Sequence, residues 1–136
     1  MTNGPEYLFV YGTLMLGYDN PFAKKLRKMS IFKGKGSFPG MLYMVSWYPG
    51  AVYSEESKTL IHGEVYQMSN VPELIRDLDE YEDVFEDERA SLYVRRVVPV
   101  RLHNGEIIDC WAYLYNQSVG GLQEIRSGDF RDFNTF

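Results

Sequence analysis

A chain of 136 residues is long enough to bury one hydrophobic core without disulfides or a structural metal, so a single domain spanning residues 1–136 is expected. The formal net charge is −5, and the one cluster of bases (Lys24, Lys25, Arg27, Lys28, Lys33, Lys35) reads as solvated surface, which argues against nucleic acid or an anionic membrane as partner. One cysteine rules out an internal disulfide framework. With no basic N-terminal region leading into an apolar run, and nothing near the roughly 18 apolar residues of a membrane span, the reading is a soluble cytoplasmic protein.

In chain order, the first six residues read as loose, and Tyr7 to Val10 is a short apolar run that stops at Gly12, the pattern of a buried strand ending in a turn. Asn20 before Pro21, with Phe22, Ala23, Leu26 and Met29 at helical spacing, predicts a capped short helix from Pro21 to about Met29. Gly34, Gly36, Pro39, Gly40, Pro49 and Gly50 punctuate the next region, leaving brief strands at Met41 to Val45 and Ala51 to Tyr53, then a longer one at Ile61 to Met68. A second helix is predicted from Val71 to Tyr81, capped by Asn70 with Pro72 in the first turn. Tyr93 to Leu102 and Ile107 to Tyr115 are strand-like runs joined through Asn104-Gly105, a hairpin signal. Strands dominate, with short helices outside. The expected class is α+β, a small mixed β-barrel with flanking helices.

Along the second helix, Leu74, Ile75, Leu78, Tyr81 and Phe85 form one apolar stripe, while Glu73, Asp77 and Glu80 fall on the solvated side. Glu82 follows Leu78 by four residues and Ile75 by seven, and is the carboxylate of this helix in phase with the core. Such an acid has buried partners, or titrates upward and does proton chemistry in a pocket; alternatively the helix stops short and Glu82 turns to water. Asp79 borders the same face and is a candidate to orient the helix end. Asp83, Glu86, Asp87 and Glu88 read as a solvated loop.

In Tyr11-Gly12-Thr13-Leu14 a buried strand runs into a glycine, which lets the backbone turn and approach a ligand closely. Successive N–H groups there can hold an anion such as a carboxylate, although strand-Gly-Thr turns are also common as plain turns. It is not a phosphate loop, since it lacks the second glycine followed by Lys and Ser or Thr.

Taken together, Phe9-Val10-Tyr11-Gly12-Thr13-Leu14, Gly17 and Asn20, His62-Gly63-Glu64-Val65-Tyr66, Leu78-Asp79-Glu80-Tyr81-Glu82, Tyr93 and Arg95, Ala112-Tyr113 through Tyr115, and Gly128-Asp129 resemble the gamma-glutamylcyclotransferase-like family over nearly the whole chain. The resemblance implies a small mixed barrel whose cavity lies between the glycine turn and the acid of the Leu-Asp-x-x-Glu segment, here Glu82. It implies Glu82 as the catalytic acid and base, and Tyr11, Gly12, Thr13 and Leu14 as holders of a glutamyl end, with Tyr93 and Tyr115 lining the cavity. The implied reaction is attack of a glutamyl α-amine on its own γ-carbonyl, giving 5-oxoproline and a released amine or amino acid, with no cofactor. The chain departs from the family pattern at Met15-Leu16, Asp83 and Phe130, changes that bear on the leaving-group pocket.

No metal is expected: His62 and His103 are far apart in sequence and read as structural or solvent-facing, and Cys110 reads as a buried strand residue beside Trp111. Asn116-Gln117-Ser118 matches a glycosylation acceptor, coincidental in a cytoplasmic protein. The expected partner is a small γ-glutamyl substrate, and the sequence is silent on oligomeric state. The competing reading is a non-catalytic small-ligand-binding domain of the same fold, in which Glu82 is locked to an arginine such as Arg95 or Arg96 with no open cavity.

Overall fold

The computed structural model describes residues 5–82, 84 and 86–133. Strand β1 (Tyr7–Val10) is apolar throughout because both its edges are paired and its faces covered. It runs antiparallel to β4 (Leu60–Met68), with Tyr7 opposite Gln67 and Val10 opposite Glu64, and parallel to β6 (Ile107–Tyr115), with Leu8 opposite Trp111. The expected looseness of the first six residues does not extend to Glu6, whose carbonyl accepts from the Met68 N–H at 2.8 Å and prolongs the β1–β4 ladder. Met1 to Gly4 lie outside the described residues.

Strand β2 (Ser30–Met44) corrects the expectation of a punctuated loop followed by a brief strand. It is one bent strand of 15 residues. Its first part pairs with β4 from Ser30–Met68 to Pro39–Leu60; its last part pairs with β3 (Pro49–Tyr53) and with β7 (Gln123–Ile125). The glycines that looked like loop punctuation mark where the strand bends or another chain segment comes close. The register shifts between Phe32 and Gly34, which sits at φ +134°, a backbone conformation that only glycine adopts easily. A Cβ on Gly36 would stand 2.7 Å from Val100 Cγ1, where β2 meets β5 (Tyr93–Leu102).

That meeting closes the sheet. The order β2-β4-β1-β6-β5 returns to β2 through Gly36–Leu102 and Ser37–Arg101, giving a closed five-stranded barrel, with β3 and β7 extending the far half of β2. Its core includes Leu8, Phe9, Phe38, Ile61, Val65, Val98, Val100 and Ala112. β5 and β6 form the hairpin expected at Asn104-Gly105, with Gly105 at φ +92°.

Helix α1 (Pro21–Lys28) and helix α2 (Val71–Tyr81) begin as the caps predict: the Asn20 side chain accepts from the Ala23 N–H, and that of Asn70 from the Glu73 N–H. They bury Ala23 and Leu26, and Leu74, Ile75 and Leu78. Two expectations of plain solvation fail here. Lys25 of α1 bonds Asp77 and lies 3.4 Å from Glu73, because α1 packs along α2 and the two acids face it. After the β5–β6 hairpin the chain adds β7, and the tail from about Asp129, on which the sequence is silent, forms the one-turn helix α3 (Phe130–Phe133), with Phe130 buried and stacked on Tyr18. No helix among the described residues is long and apolar enough to cross a membrane.

Candidate functional site

A cavity of about 180 Å³ opens where the C-terminal end of β1 meets the end of α2. It is lined by Phe9 to Leu14, by Tyr81 and Glu82 at the end of α2, and by Tyr93 and Tyr113 of the β5–β6 hairpin. The β2–β3 loop contributes Trp47 and Tyr48, Pro49 at the start of β3 adjoins them, and Leu92 completes the lining.

The glycine turn is held from several sides. The Met15 N–H donates to the Gly12 carbonyl at 3.1 Å, and Asn20 donates through Nδ2 to the Thr13 carbonyl at 2.9 Å while capping α1 with its Oδ1. Thr13 Oγ1 shares a 2.7 Å hydrogen bond with the Tyr81 hydroxyl, tying the turn to the end of α2. The N–H groups of Gly12, Thr13 and Leu14 meet no acceptor among the described residues, which leaves a run of donors suited to an anion. Gly12 is the expected residue for a different reason. Its φ is not in the left-handed region; instead a Cβ there would lie 3.0 Å from both Cδ and Cγ of Pro49, so glycine lets the loop close against the turn.

The helix end settles where Glu82 points. Residue 82 is the C-cap of α2 (φ −93°, ψ 8°), its N–H still bonded to the Leu78 carbonyl at 2.9 Å, so it keeps helical phase and its half-buried side chain faces the cavity. Phe85, assigned to the same stripe, and Asp83 lie outside the described residues. Burial foremost, and the Glu82 charge with it, raises the hydroxyl pKa of Tyr11, Tyr93 and Tyr113, while burial raises that of Tyr81. Four neutral phenols therefore surround this carboxylate.

Those hydroxyls also brace the walls. Tyr11 donates to the Tyr113 carbonyl at 2.6 Å and accepts from the Ala51 N–H; Tyr93 donates to the Pro49 carbonyl at 2.5 Å. Tyr113 donates to Asp79 Oδ1 at 2.7 Å, and Arg95 clamps the same carboxylate through Nε at 2.9 Å and Nη2 at 3.2 Å. Asp79 thus orients the helix end, as its place beside the stripe suggested. Arg95 stacks over Trp111, and Arg96 forks onto Glu88, so both arginines are engaged with acids other than Glu82.

Of the residues singled out from sequence, Glu82, Tyr11, Gly12, Thr13, Leu14 and Tyr93 share the cavity. Tyr115 stands outside its lining, a correction to its expected place: it is one layer back, its ring edge-on to Tyr93 at 5.8 Å and its Cβ against Gly50. Sequence reasoning missed Trp47, Tyr48 and Pro49, whose one signal is an aromatic pair before a proline in a turn. It also missed Glu64, a buried acid on β4. Glu64 Oε1 accepts from the Leu16 N–H at 2.8 Å and from the Tyr66 hydroxyl at 3.0 Å, and Oε2 accepts from Arg131 at 2.8 Å. Cys110 is buried in mid-strand, its thiol pushed up to about 12 by burial. His62 and His103 are exposed, and among the described residues no three His, Cys, Asp or Glu side chains converge on a point where a metal would sit.

The family model of gamma-glutamyl cyclotransferase, AIG2-like, matches residues 8–132. A Methanocaldococcus jannaschii protein, named as a candidate gamma-glutamylcyclotransferase, is 34% identical over 131 residues, covering 94% of this chain and 98% of the relative. The Escherichia coli gamma-glutamylcyclotransferase family protein YtfP is 30% identical over 129 residues, 92% of this chain and 96% of the relative. Among solved structures, the mouse AIG2-like protein superposes with a TM-score of 0.68 at 22% identity, over 87% of this chain and 82% of that one, a likeness of fold. With a closed barrel, a glycine turn facing an acid at a helix end, and a family match over almost its full length, the chain belongs to the gamma-glutamyl cyclotransferase, AIG2-like family.

Proposed function

We propose that the protein is a cytoplasmic gamma-glutamyl cyclotransferase that converts a γ-glutamyl amide to 5-oxoproline and a free amine. The observation that carries this reading is that half-buried Glu82 and the turn Gly12-Thr13-Leu14, whose N–H groups meet no acceptor among the described residues, line one cavity. The turn binds the α-carboxylate of the glutamyl end, and the rings of Tyr11 and Tyr93 confine its methylene chain, with Tyr115 backing Tyr93. Folding that chain so the α-nitrogen approaches the γ-carbonyl supplies much of the acceleration, because the nucleophile is already part of the substrate.

The α-ammonium sheds two protons on becoming the ring N–H. Glu82 takes the first, freeing the lone pair that attacks, and passes it to the leaving nitrogen as the amide C–N bond breaks. The second, lost from the ring nitrogen after the new C–N bond forms, ends on the released amine, which departs as an ammonium. The proton count balances with no water, metal or cofactor consumed. An arginine locked on Glu82 with no open cavity would favour the competing role of a non-catalytic binding domain; Arg95 and Arg96 instead hold Asp79 and Glu88, and Glu82 lines a cavity, which supports the catalytic reading.

The test is 5-oxoproline release from a panel of γ-glutamyl amides by the parent and by Glu82→Gln. Loss of general acid–base catalysis is expected to cost about 10²- to 10⁴-fold in kcat with little change in thermal midpoint. Full activity of the Glu82→Gln protein would remove Glu82 from the mechanism, and a parent inert on every amide would remove the reaction.

A further inference from the structure

Two stretches that carry the family resemblance, His62-Gly63-Glu64 and Gly128-Asp129, have no part in the reaction proposed above. The fold brings them together. The His62 N–H donates to the Gly128 carbonyl at 2.8 Å, and His62, Glu64 and Asp129 line a second cavity of about 130 Å³ with Lys35, Arg131 and Met15. Lys35 of β2 stands opposite Glu64 of β4 and Ser37 opposite His62, while a Cβ added to Gly36 or Gly63 between them would meet the core side chains Val100 or Phe9. Lys35, His62 and Glu64 therefore lie on the outer face of the barrel. Among the described residues none lines both this cavity and the one that Glu82 lines, although Leu14 belongs to the first and its neighbour Met15 to the second.

The charges here fall into two groups. Glu64 and Arg131 satisfy each other, with Nη2 donating to Oε2 at 2.8 Å. Lys35 and Asp129 form no ion pair among the described residues. Asp129 accepts the Arg131 backbone N–H with Oδ1 at 2.9 Å and has Oδ2 left over, and neither the Lys35 ammonium nor the His62 ring makes a hydrogen bond among the described residues. One cation, one carboxylate oxygen and an imidazole are left to receive a ligand. A lone anion there meets Glu64 and Asp129, and a lone cation meets Lys35 and Arg131; a molecule with both charges has a partner for each.

We infer that this cavity is a second binding site, for a small zwitterion of the α-amino acid class, its carboxylate on Lys35 and His62 and its ammonium on Asp129. The site stands independently of the proposed reaction. Its effect on that reaction runs through Leu16, whose N–H is held by Glu64 and whose carbonyl is held by Arg131. A ligand that braces Asp129 and Arg131 tightens the hold on the turn.

Glycine, L-alanine and L-serine are titrated into the full chain and followed by NMR. With two histidines and two tryptophans in the sequence, the His62 ring reports on this cavity, the Trp47 indole on the other, and His103 in the hairpin turn serves as reference. At least one amino acid is expected to shift the His62 signals to saturation and leave Trp47 and His103 in place. N-acetyl-L-alanine and L-alaninamide, each lacking one charge, are expected to bind about tenfold more weakly than L-alanine. Lys35→Gln or Asp129→Asn should weaken the amino acid by a similar factor with an unchanged thermal midpoint. No shift of His62 at about 10 mM of any of the three, or a shift of Trp47 alone, overturns the site. Inorganic phosphate or N-acetyl-L-alanine binding as tightly overturns the zwitterion. On the cyclotransferase reading, saturating amino acid lowers KM for a γ-glutamyl amide about fivefold. An unchanged KM overturns that coupling and leaves the site; binding at His62 with no amide turned over removes the reaction and leaves the site.

Discussion

Replacing Glu64 by Gln tests whether the active turn is held in place from behind. The Glu64 side chain is only 4% exposed and its carboxylate receives three donors: the Leu16 N–H, the Tyr66 hydroxyl and the Arg131 guanidinium. Arg131 also donates to the Leu16 carbonyl, so the residue two places beyond Leu14 is gripped at both its N–H and its C=O. Gln has the same length, but either orientation of its amide sets an NH₂ group against a donor. A hydrogen bond to a charged group contributes about 1.5–3 kcal/mol. Losing the bond to Leu16 or to Arg131 therefore costs roughly that much, and the Arg131 arm is discounted because its side chain is 40% exposed and water can take over.

The expected destabilisation is about 2–3 kcal/mol, which for a domain of this size lowers the thermal midpoint by roughly 6–15 °C in a calorimetric or circular-dichroism melt. On the proposed function, a shift of the turn by a fraction of an ångström also misplaces the glutamyl end, so kcat/KM at 25 °C is expected to fall about tenfold, mainly through KM. Arg131→Ala, which removes one arm, should show part of both effects. Coupling between the two substitutions should be clear in a double-mutant cycle. A Glu64→Gln protein that melts within about 1 °C of the parent refutes the energetic estimate. One that melts low but keeps its kcat/KM shows that Glu64 holds the barrel and not the turn.

Other outcomes follow from the same geometry. Gly12→Ala puts a methyl 3.0 Å from the Pro49 ring, so kcat/KM should drop with a stability loss of no more than about 2 kcal/mol; an unchanged kcat/KM would show that Pro49 yields freely. Gly63→Ala, whose Cβ would stand 2.2 Å from the Val10 carbonyl oxygen and 2.7 Å from Phe9 Cζ, should abolish soluble expression or lower the melting point steeply. The hydrogen bond from Lys25 holds the Asp77 carboxyl below its usual range, so its contribution is present above the unfolded value near 4 and lost as pH falls through the lower folded value. Asp77→Asn should flatten the acid limb of urea midpoint against pH below about 4; an identical limb in both proteins would contradict the pairing. Cys110, buried and with its thiol near 12, should resist a thiol reagent at pH 8 until denaturant is added, and rapid labelling of the folded protein would argue against the packing of β6.

What could be read in the sequence was what rests on local pattern. Asn20-Pro21 and Asn70-Val71-Pro72 announce their helices because a cap acts on N–H groups three residues away, and Asn104-Gly105 announces its hairpin for a similar reason. Glu82 was legible because helical phase carries from Ile75 and Leu78 to residue 82. Strand β2 was not: Gly36 and Gly40 are required by neighbours that arrive from β5 and β3, and Gly34 by the register shift against β4, and none of these has a trace in the local pattern. Glu64 hid for the same reason. It lies in the continuously buried run Gly63 to Tyr66, where no alternation singles out a position, and its partners Leu16 and Arg131 stand 48 and 67 residues away.

Glu64 and Glu82 sit in different surroundings, which suit the different work proposed for each. Glu64 receives the Leu16 N–H, the Tyr66 hydroxyl and the Arg131 guanidinium, an arrangement that holds a carboxylate in one place. Around Glu82 the wall is aromatic, and the protons of Tyr11, Tyr93 and Tyr113 are directed elsewhere, to the Tyr113 carbonyl, the Pro49 carbonyl and Asp79. These phenols therefore act on Glu82 through their rings and their fixed positions and do not donate those protons to it. A wall whose hydroxyls are already committed does not have to reorganise as a proton moves, which is the condition under which a single carboxylate is most effective as acid and base. The tyrosine richness of the chain, which composition alone could assign only to half-buried strands or a pocket lining, is in this part of the barrel the frame that holds the acid, the turn and the β2–β3 loop at one spacing.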